Sequence, residues 1–370
     1  MKRCLHLLPI LLCQPIVAQD KDKQLAQQLI HHIQSSELTS WKTLANVLSV
    51  TFDDSNESVT ASDDYYSSAR KKAMHWLAQD EYAHTLIDVA NDNQDEADKK
   101  HIQLLQRYAL ATIYYGTTQY GPWSACAPTS EESSPCDNDE HRYLSPSNHL
   151  SWEGINGKGG LITWLDLNTK NLSNCRPSTS DNNNHNGEYD MFPLELSLLS
   201  PSLELLWLHS NPFLCGSLPS YIGEFINLQS LSLYSTNMSG PLPQSLYTID
   251  KLASIRLYKS NFGGSISPEL NQMKNLKWFW IHENQFEGTL PNLGKLNLLE
   301  GVTLHGNALD TSQSGLCPLL KASLKYLWTD CNNHGVVKKG QEWVVVEGEK
   351  ACECCTRCFP KKQMDAVAVH

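Results

Sequence analysis

The chain has 370 residues, 41% hydrophobic and 19% charged, which is ample apolar material for a folded core and excludes a disordered polyelectrolyte. Its 29 Lys and Arg against 40 Asp and Glu give a net charge of −11. No basic cluster offsets that balance, so nucleic acid and an anionic membrane surface are excluded as expected partners.

Met1-Lys2-Arg3 followed by the apolar run Leu5–Ala18 reads as a secretory signal over residues 1–18. The run is too short to span a bilayer, and nothing later reaches the ~18 consecutive apolar residues of a transmembrane helix. A secreted, extracellular mature chain starting near Gln19, without a transmembrane segment, is therefore expected. Residues 19–97 read as an N-terminal extension, helical in part and partly disordered. Apolar residues fall at helical spacing from Lys21 to Leu48 (Leu25, Leu29, Ile33, then Trp41, Leu44, Leu48) and again over Ser67–Ala90 around Trp76, Leu77 and Leu86, with an Asp/Ser-rich linker, Phe52–Ser68, between them. Residues 98–160 read as an N-terminal cap. Its helix, Lys99–Gly116, puts Ile102, Leu105, Ala109 and Ile113 on one face and ends at Gly116, whereas Ser124–Asn148 reads as loop.

Residues 161–330 repeat a motif of the form Leu-x-Leu-x-x-Asn-x-Leu. Leu206, Leu231, Ile255, Phe279 and Val302 open successive copies at steps of 25, 24, 24 and 23 residues. An earlier copy, Leu165-Asp166-Leu167, lies 41 residues upstream of Leu206, and a closing one, Leu324-x-x-Leu327, follows. That period is the leucine-rich repeat, with about seven coils. The expected fold is an α/β solenoid: a leucine-rich-repeat horseshoe with short parallel strands on the concave face, a helical N-terminal cap and a Cys-rich C-terminal cap over 331–370. Each coil leaves inward leucines that only a stacked neighbour covers. Asn211, Asn284 and Asn307 are expected to turn inward onto the backbone of adjacent coils. Thr236 and Ser260 stand at the same place, as does Lys170, which cannot replace them. The polar run Asp181–Gly187 explains the long step as an insertion and reads as an exposed loop.

Between strands the chain repeats Gly216-Ser217-Leu218-Pro219, Gly240-Pro241-Leu242-Pro243, Gly264-Ser265-Ile266-Ser267-Pro268 and Gly288-Thr289-Leu290-Pro291. This turn resembles the plant-type extracellular class of leucine-rich repeats, as in receptor-like and polygalacturonase-inhibiting proteins. Arg107–Tyr115 followed by Trp123, and the terminal Cys-x-Cys-Cys-x-x-Cys, are similar to a microalgal branch of that class. Ser151-Trp152-Glu153-Gly154-Ile155 resembles the cap motif of the class, but Leu150 and Gly157 stand where its two cysteines would be, which implies that the cap disulfide is gone.

Cys4 and Cys13 leave with the signal, so ten of the 12 cysteines remain, an even number that suggests disulfides in a secreted chain. Cys126 and Cys136 are placed to close a small loop, and Cys175 and Cys215 to clip the insertion. Cys317, Cys331, Cys352, Cys354, Cys355 and Cys358 gather at the end with open connectivity; a thiolate metal cluster there is disfavoured by an oxidising compartment. Sequons at Asn56, Asn171 and Asn237 are candidate glycosylation sites.

No catalytic motif is present. There is no Gly-x-Ser-x-Gly and no phosphate loop, and His282-Glu283 lacks the helical second His of a zinc-hydrolase motif, so no enzyme, metal or cofactor is expected. The informative positions are those between the core leucines, which alternate outward. One column runs Asp166, Trp207, Ser232, Arg256, Trp280, Thr303, Trp328, and a second runs Asn168, His209, Tyr234, Tyr258, His282, His305, with Trp278 beside them. Aromatic, His and Arg side chains suit a binding face, so Trp207, His209, Tyr234, Arg256, Tyr258, Trp278, Trp280, His282 and His305 form the candidate ligand site. Its histidines make a change of affinity near pH 6 an expectation, and its outward side chains should add little to stability. The expected function is non-catalytic recognition of an extracellular protein, peptide or glycan; the alternatives are inhibition of an extracellular hydrolase and a structural wall or matrix role.

Overall fold

The computed structural model describes residues 24–31, 33–34, 67–88, 92–118, 120–128, 138–175, 193–311, 316–319 and 323–330, a few single positions, and the backbone of three short strands beyond 335. The expected signal, residues 52–66 of the linker with Asn56, the loop Asp181–Gly187, Cys331, Cys352, Cys354 and Cys355, and the side chains of Cys317 and Cys358 lie outside the described residues, while the linker's last two residues open a helix.

Among the described residues, helical backbone at 24–31 is followed by α1 Ser67–Leu77, α2 Glu81–Ile87 and α3 Gln94–Gly116 ahead of the repeats. The single helical run expected over Ser67–Ala90 is broken at Asp80, whose carboxylate accepts from Ala83 N–H at 2.8 Å and so starts α2. Helix α3 begins five residues ahead of its expected start at Lys99, because Asn93 accepts from Glu96 N–H at 3.0 Å, and Asp95 and Glu96 suit a helix N-terminus. Its buried face includes Gln106, fully buried, which donates to Ser202 Oγ and accepts from Ile162 N–H. One side chain thereby satisfies strand backbone in the first coil.

Arg107 on α3 is also buried. It pairs with Asp80 (2.6 and 2.8 Å), donates to the carbonyls of Ser145 and Ser147, and lies 4.6–5.0 Å from the rings of Trp76, Tyr82 and Trp152. On α1, buried Arg70 pairs with buried Glu195 of the repeats. The hairpin of β1 (Ile155–Lys158) and β2 (Leu161–Asp166) follows. Here Leu150 packs against Gly157, where a Cβ would meet Leu150 Cδ2 at 2.5 Å.

From β2 onward each coil adds one parallel strand to the main sheet: β3 Leu205–Trp207, β5 Ser230–Ser232, β7 Ser254–Arg256, β9 Trp278–Trp280, β11 Gly301–Thr303 and β13 Tyr326–Asp330. With β1 at one end and β16 (Arg357–Phe359) paired to β13 at the other, the sheet has nine strands. A second parallel sheet of five strands, β4 Cys215–Gly216, β6 Asn237–Gly240, β8 Asn261–Ser265, β10 Gln285–Thr289 and β12 Ala308–Asp310, forms where the chain turns away from the first. The glycine of each Gly-x-Leu-Pro turn then takes φ between 75° and 108° (Gly216, Gly240, Gly264, Gly288), a left-handed region that other residues enter at a cost. Short 3-10 turns opened by a fixed-φ proline, as at Pro219 and Pro243, return the chain to the next coil. A β14–β15 hairpin (Val336–Lys339 and Glu342–Val345) precedes β16.

One column of the core aligns Leu165, Leu206, Leu231, Ile255, Phe279, Val302 and Leu327, 0–3% exposed. Asn211 donates to Leu167 O and Leu208 O and accepts from Leu172 N–H, and Asn284 and Asn307 repeat this on their own neighbours. Thr236 and Ser260 share Leu233 O and bond each other, while Lys170 pairs instead with Glu153. Two disulfides, Cys126–Cys136 and Cys175–Cys215, stand among the described residues, the second closing the long insertion. No described helix is long and apolar enough to cross a membrane.

Candidate functional site

The strand register sorts the open face of the main sheet into three columns. Asp166, Trp207, Ser232, Arg256, Trp280, Thr303 and Trp328 align as one, and Trp164, Leu205, Ser230, Ser254, Trp278, Gly301 and Tyr326 as a second on its N-terminal side. The third column, two residues beyond the first, is built by a backbone ladder that outlasts the strands. Ser210 N–H donates to Tyr234 O, Ser235 to Tyr258 O, Lys259 to His282 O and Glu283 to His305 O, at 2.8–3.0 Å. Those four donors all hold φ of 52–58°, a strained turn repeated coil after coil.

This ladder turns the third column into a continuous stack. Ring centroids stand 4.3 Å apart for His209–Tyr234, 4.2 Å for Tyr234–Tyr258, 4.5 Å for Tyr258–His282 and 4.5 Å for His282–His305, with interplanar angles of 7–21°. That spacing is slightly shorter than the ~4.8 Å between strands, so the rings lean into contact. Their faces cover one another and their edges, carrying hydroxyls and ring nitrogens, remain for a partner. Asn168, expected at the head of this column, instead donates to Asp166.

Ring faces are offered by the other two columns. Arg256 lies over the Trp280 ring at 4.8 Å, and Trp278 packs edge-on to Trp280 at 5.8 Å and stacks on Tyr326 at 5.9 Å. The intervening strand carries Gly301, where a Cβ would meet the Tyr326 ring at 2.6 Å; its missing side chain makes the seat for Tyr326. Trp207 Nε1 donates to Ser230 Oγ at 2.9 Å, and its ring is 6.3 Å from that of Trp164, which is 43% exposed. All nine sequence-derived ligand residues thus share one face. Trp164 and Tyr326 lie on the same face in the column of Trp278, and their place in the repeat register was the signal that would have found them.

Packing revises two expectations. Burial first, with His305 and Lys259 adding to it, lowers His282 to about 3. Burial and Arg256, against Asp166, lower His209 as well. His282 therefore stays neutral at pH 6 and His209 shifts in the same direction, so the pH effect expected there moves to more acid pH. Outward rings packed on two neighbours also carry more stability than lone surface side chains do.

Of the sequons, Asn237 is exposed, with its amide oxygen accepting from Asn261, whereas Asn171 is half-buried and donates to Pro122 O at 3.2 Å.

No known protein family and no curated protein matches the chain. Among solved structures it is similar to the plant peptide hormone receptor RGFR1 in complex with RGF2, at 29% identity and a TM-score of 0.31 over 32% of this chain. The BIR2 ectodomain from Arabidopsis thaliana aligns at 20% identity and a TM-score of 0.38 over 45% of this chain, and a plant ice-binding protein at 24% and 0.38 over 45%. The chain spans 19%, 80% and 50% of those three proteins. Superpositions this loose carry no argument about a ligand, which rests on the face itself.

Proposed function

We propose that the chain is a secreted, non-catalytic leucine-rich-repeat recognition module. The open face, read as the concave side of a horseshoe, holds an extracellular protein, peptide or glycan. The observation that carries this reading is the unbroken ring ladder from His209 to His305 beside the Trp207–Arg256–Trp280 column. Rings already fixed by their neighbours lose little rotamer freedom on binding, and aromatic and Arg side chains dominate interface energies. The organisation proposed with it is a signal at 1–18, an extension at 19–97, an N-terminal cap at 98–160, repeats at 161–330 and a Cys-rich cap at 331–370, with glycans at Asn56, Asn171 and Asn237.

The test is capture by the intact secreted protein from an extracellular extract, followed by titration of what is captured against Trp207→Ala and Trp280→Ala. A protein, peptide or glycan whose affinity falls tenfold or more supports the reading. A captured hydrolase that loses activity supports the inhibitor alternative, and retention only on insoluble polymer supports the structural one. If both variants bind unchanged while substitutions in the Gly-x-Leu-Pro turns abolish capture, the open face is not the site.

A further inference from the structure

The ring ladder ends in a set of donors whose chemistry goes beyond contact with a ligand. His282, Glu283 and His305 each present one ligand atom, and the three atoms all lie within 4.8 Å of one another. No sequence motif joins them, because His305 arrives from the next coil. Their meeting is fixed by the fold: Glu283 N–H donates to His305 O at 2.8 Å, and the two imidazoles stack at 4.5 Å. A second observation concerns His282, whose Nδ1 lies 2.7 Å from Thr303 Oγ1. With that hydroxyl accepting from Nδ1–H, Nε2 keeps its lone pair. Metal-bound histidines are commonly oriented by such a partner on the other ring nitrogen.

We propose that His282, Glu283 and His305 form a binding site for a divalent transition-metal ion of the zinc, copper or nickel class. Two imidazole nitrogens and one carboxylate suit these ions, whereas magnesium and calcium prefer all-oxygen sets. Metal–nitrogen bonds of about 2.05 Å in a tetrahedron require donors about 3.4 Å apart. The imidazoles therefore rotate out of their stack and the Glu283 carboxylate swings in, shifts of about 1 Å or slightly more from the present spacing. Lys259 lies close enough for its charge to act on His282 and opposes a cation; the Glu283 carboxylate offsets it. Three protein donors leave a coordination position open to water or to a donor on the bound partner.

The experiment uses the full disulfide-bonded chain, stripped with chelator, dialysed and titrated calorimetrically with Zn2+, then with Cu2+ and Ni2+. One saturable equivalent is expected, weakened tenfold or more in His305→Gln and in Glu283→Gln, the second serving if the first perturbs folding. Cu2+ should also quench indole fluorescence in the parent, since the Trp328 ring is 6.2 Å from His305, and this quenching should fail in Glu283→Gln. Absence of saturable binding, or binding that survives both substitutions because it sits at other histidines or at the terminal cysteines, overturns the site. The ligand reading of the open face is untouched by either result.

Discussion

At Asn211 the side chain closes three backbone bonds in a place that excludes water. Asn211→Ala should cost about 1–3 kcal/mol, because the orphaned groups stay buried, and a urea melt measures it. Leu257→Ala should cost about 2–5 kcal/mol through the cavity it opens. Tyr258 differs in kind: it is held between Tyr234 and His282, and aromatic pairs contribute about 0.5–1.5 kcal/mol each. Tyr258→Ala should therefore destabilise by about 1–3 kcal/mol and weaken ligand capture too, whereas a purely structural ring would change only the melt. The leucines and asparagines were legible in the sequence because their roles recur within a single coil. The stack was not, since ring contact depends on how neighbouring backbones align. A pH effect belongs at this scale as well. Burial and the Arg107 charge lower His149, which is fully buried, to about 3. The unfolded chain therefore binds one more proton than the folded one between about pH 6.5 and 3. Stability should be fully present above pH 6.5 and fall as pH drops below it, a trend that His149→Gln should flatten in melts at pH 7 and pH 4.5.

Among the elements, α1, α2 and α3 are locked by Arg107 rather than by apolar contact alone. Removing one partner of a buried ion pair costs about 3–5 kcal/mol, so Arg107→Ala should release the α1–α2 pair. Protease cleavage near residues 78–81 should then appear while the repeats keep their spectrum, and an uncut chain would show that apolar packing suffices. Gly301→Val tests the seat of Tyr326: the added side chain overlaps the ring and should reduce affinity more than stability. Helix α3 was readable from Ile102 onward, where apolar spacing begins. Its first turn was not, because Gln94-Asp95-Glu96 is polar and only the Asn93 cap marks it. The β1–β2 hairpin was hidden because residues 155–160 carry little strand-like alternation.

For the whole molecule, the repeat period exposed the solenoid, but how its ends are closed was not readable. The described C-terminal backbone adds β16 to the edge left by β13. Deleting 331–370 should leave that edge and the last coil's apolar face open, giving aggregation or a broadened melt by size-exclusion chromatography and calorimetry. A truncated form that stays monomeric with an unchanged melt would show that the segment is dispensable. At the other end, Arg70 and Glu195 are 125 residues apart in sequence. At about 5–20 residues per second of synthesis, the carboxylate trails its partner by roughly 6–25 s. Over that interval α1 carries a guanidinium whose mature burial site does not yet exist. The N-terminal helices are thus made first but settle late, waiting on the coils behind them.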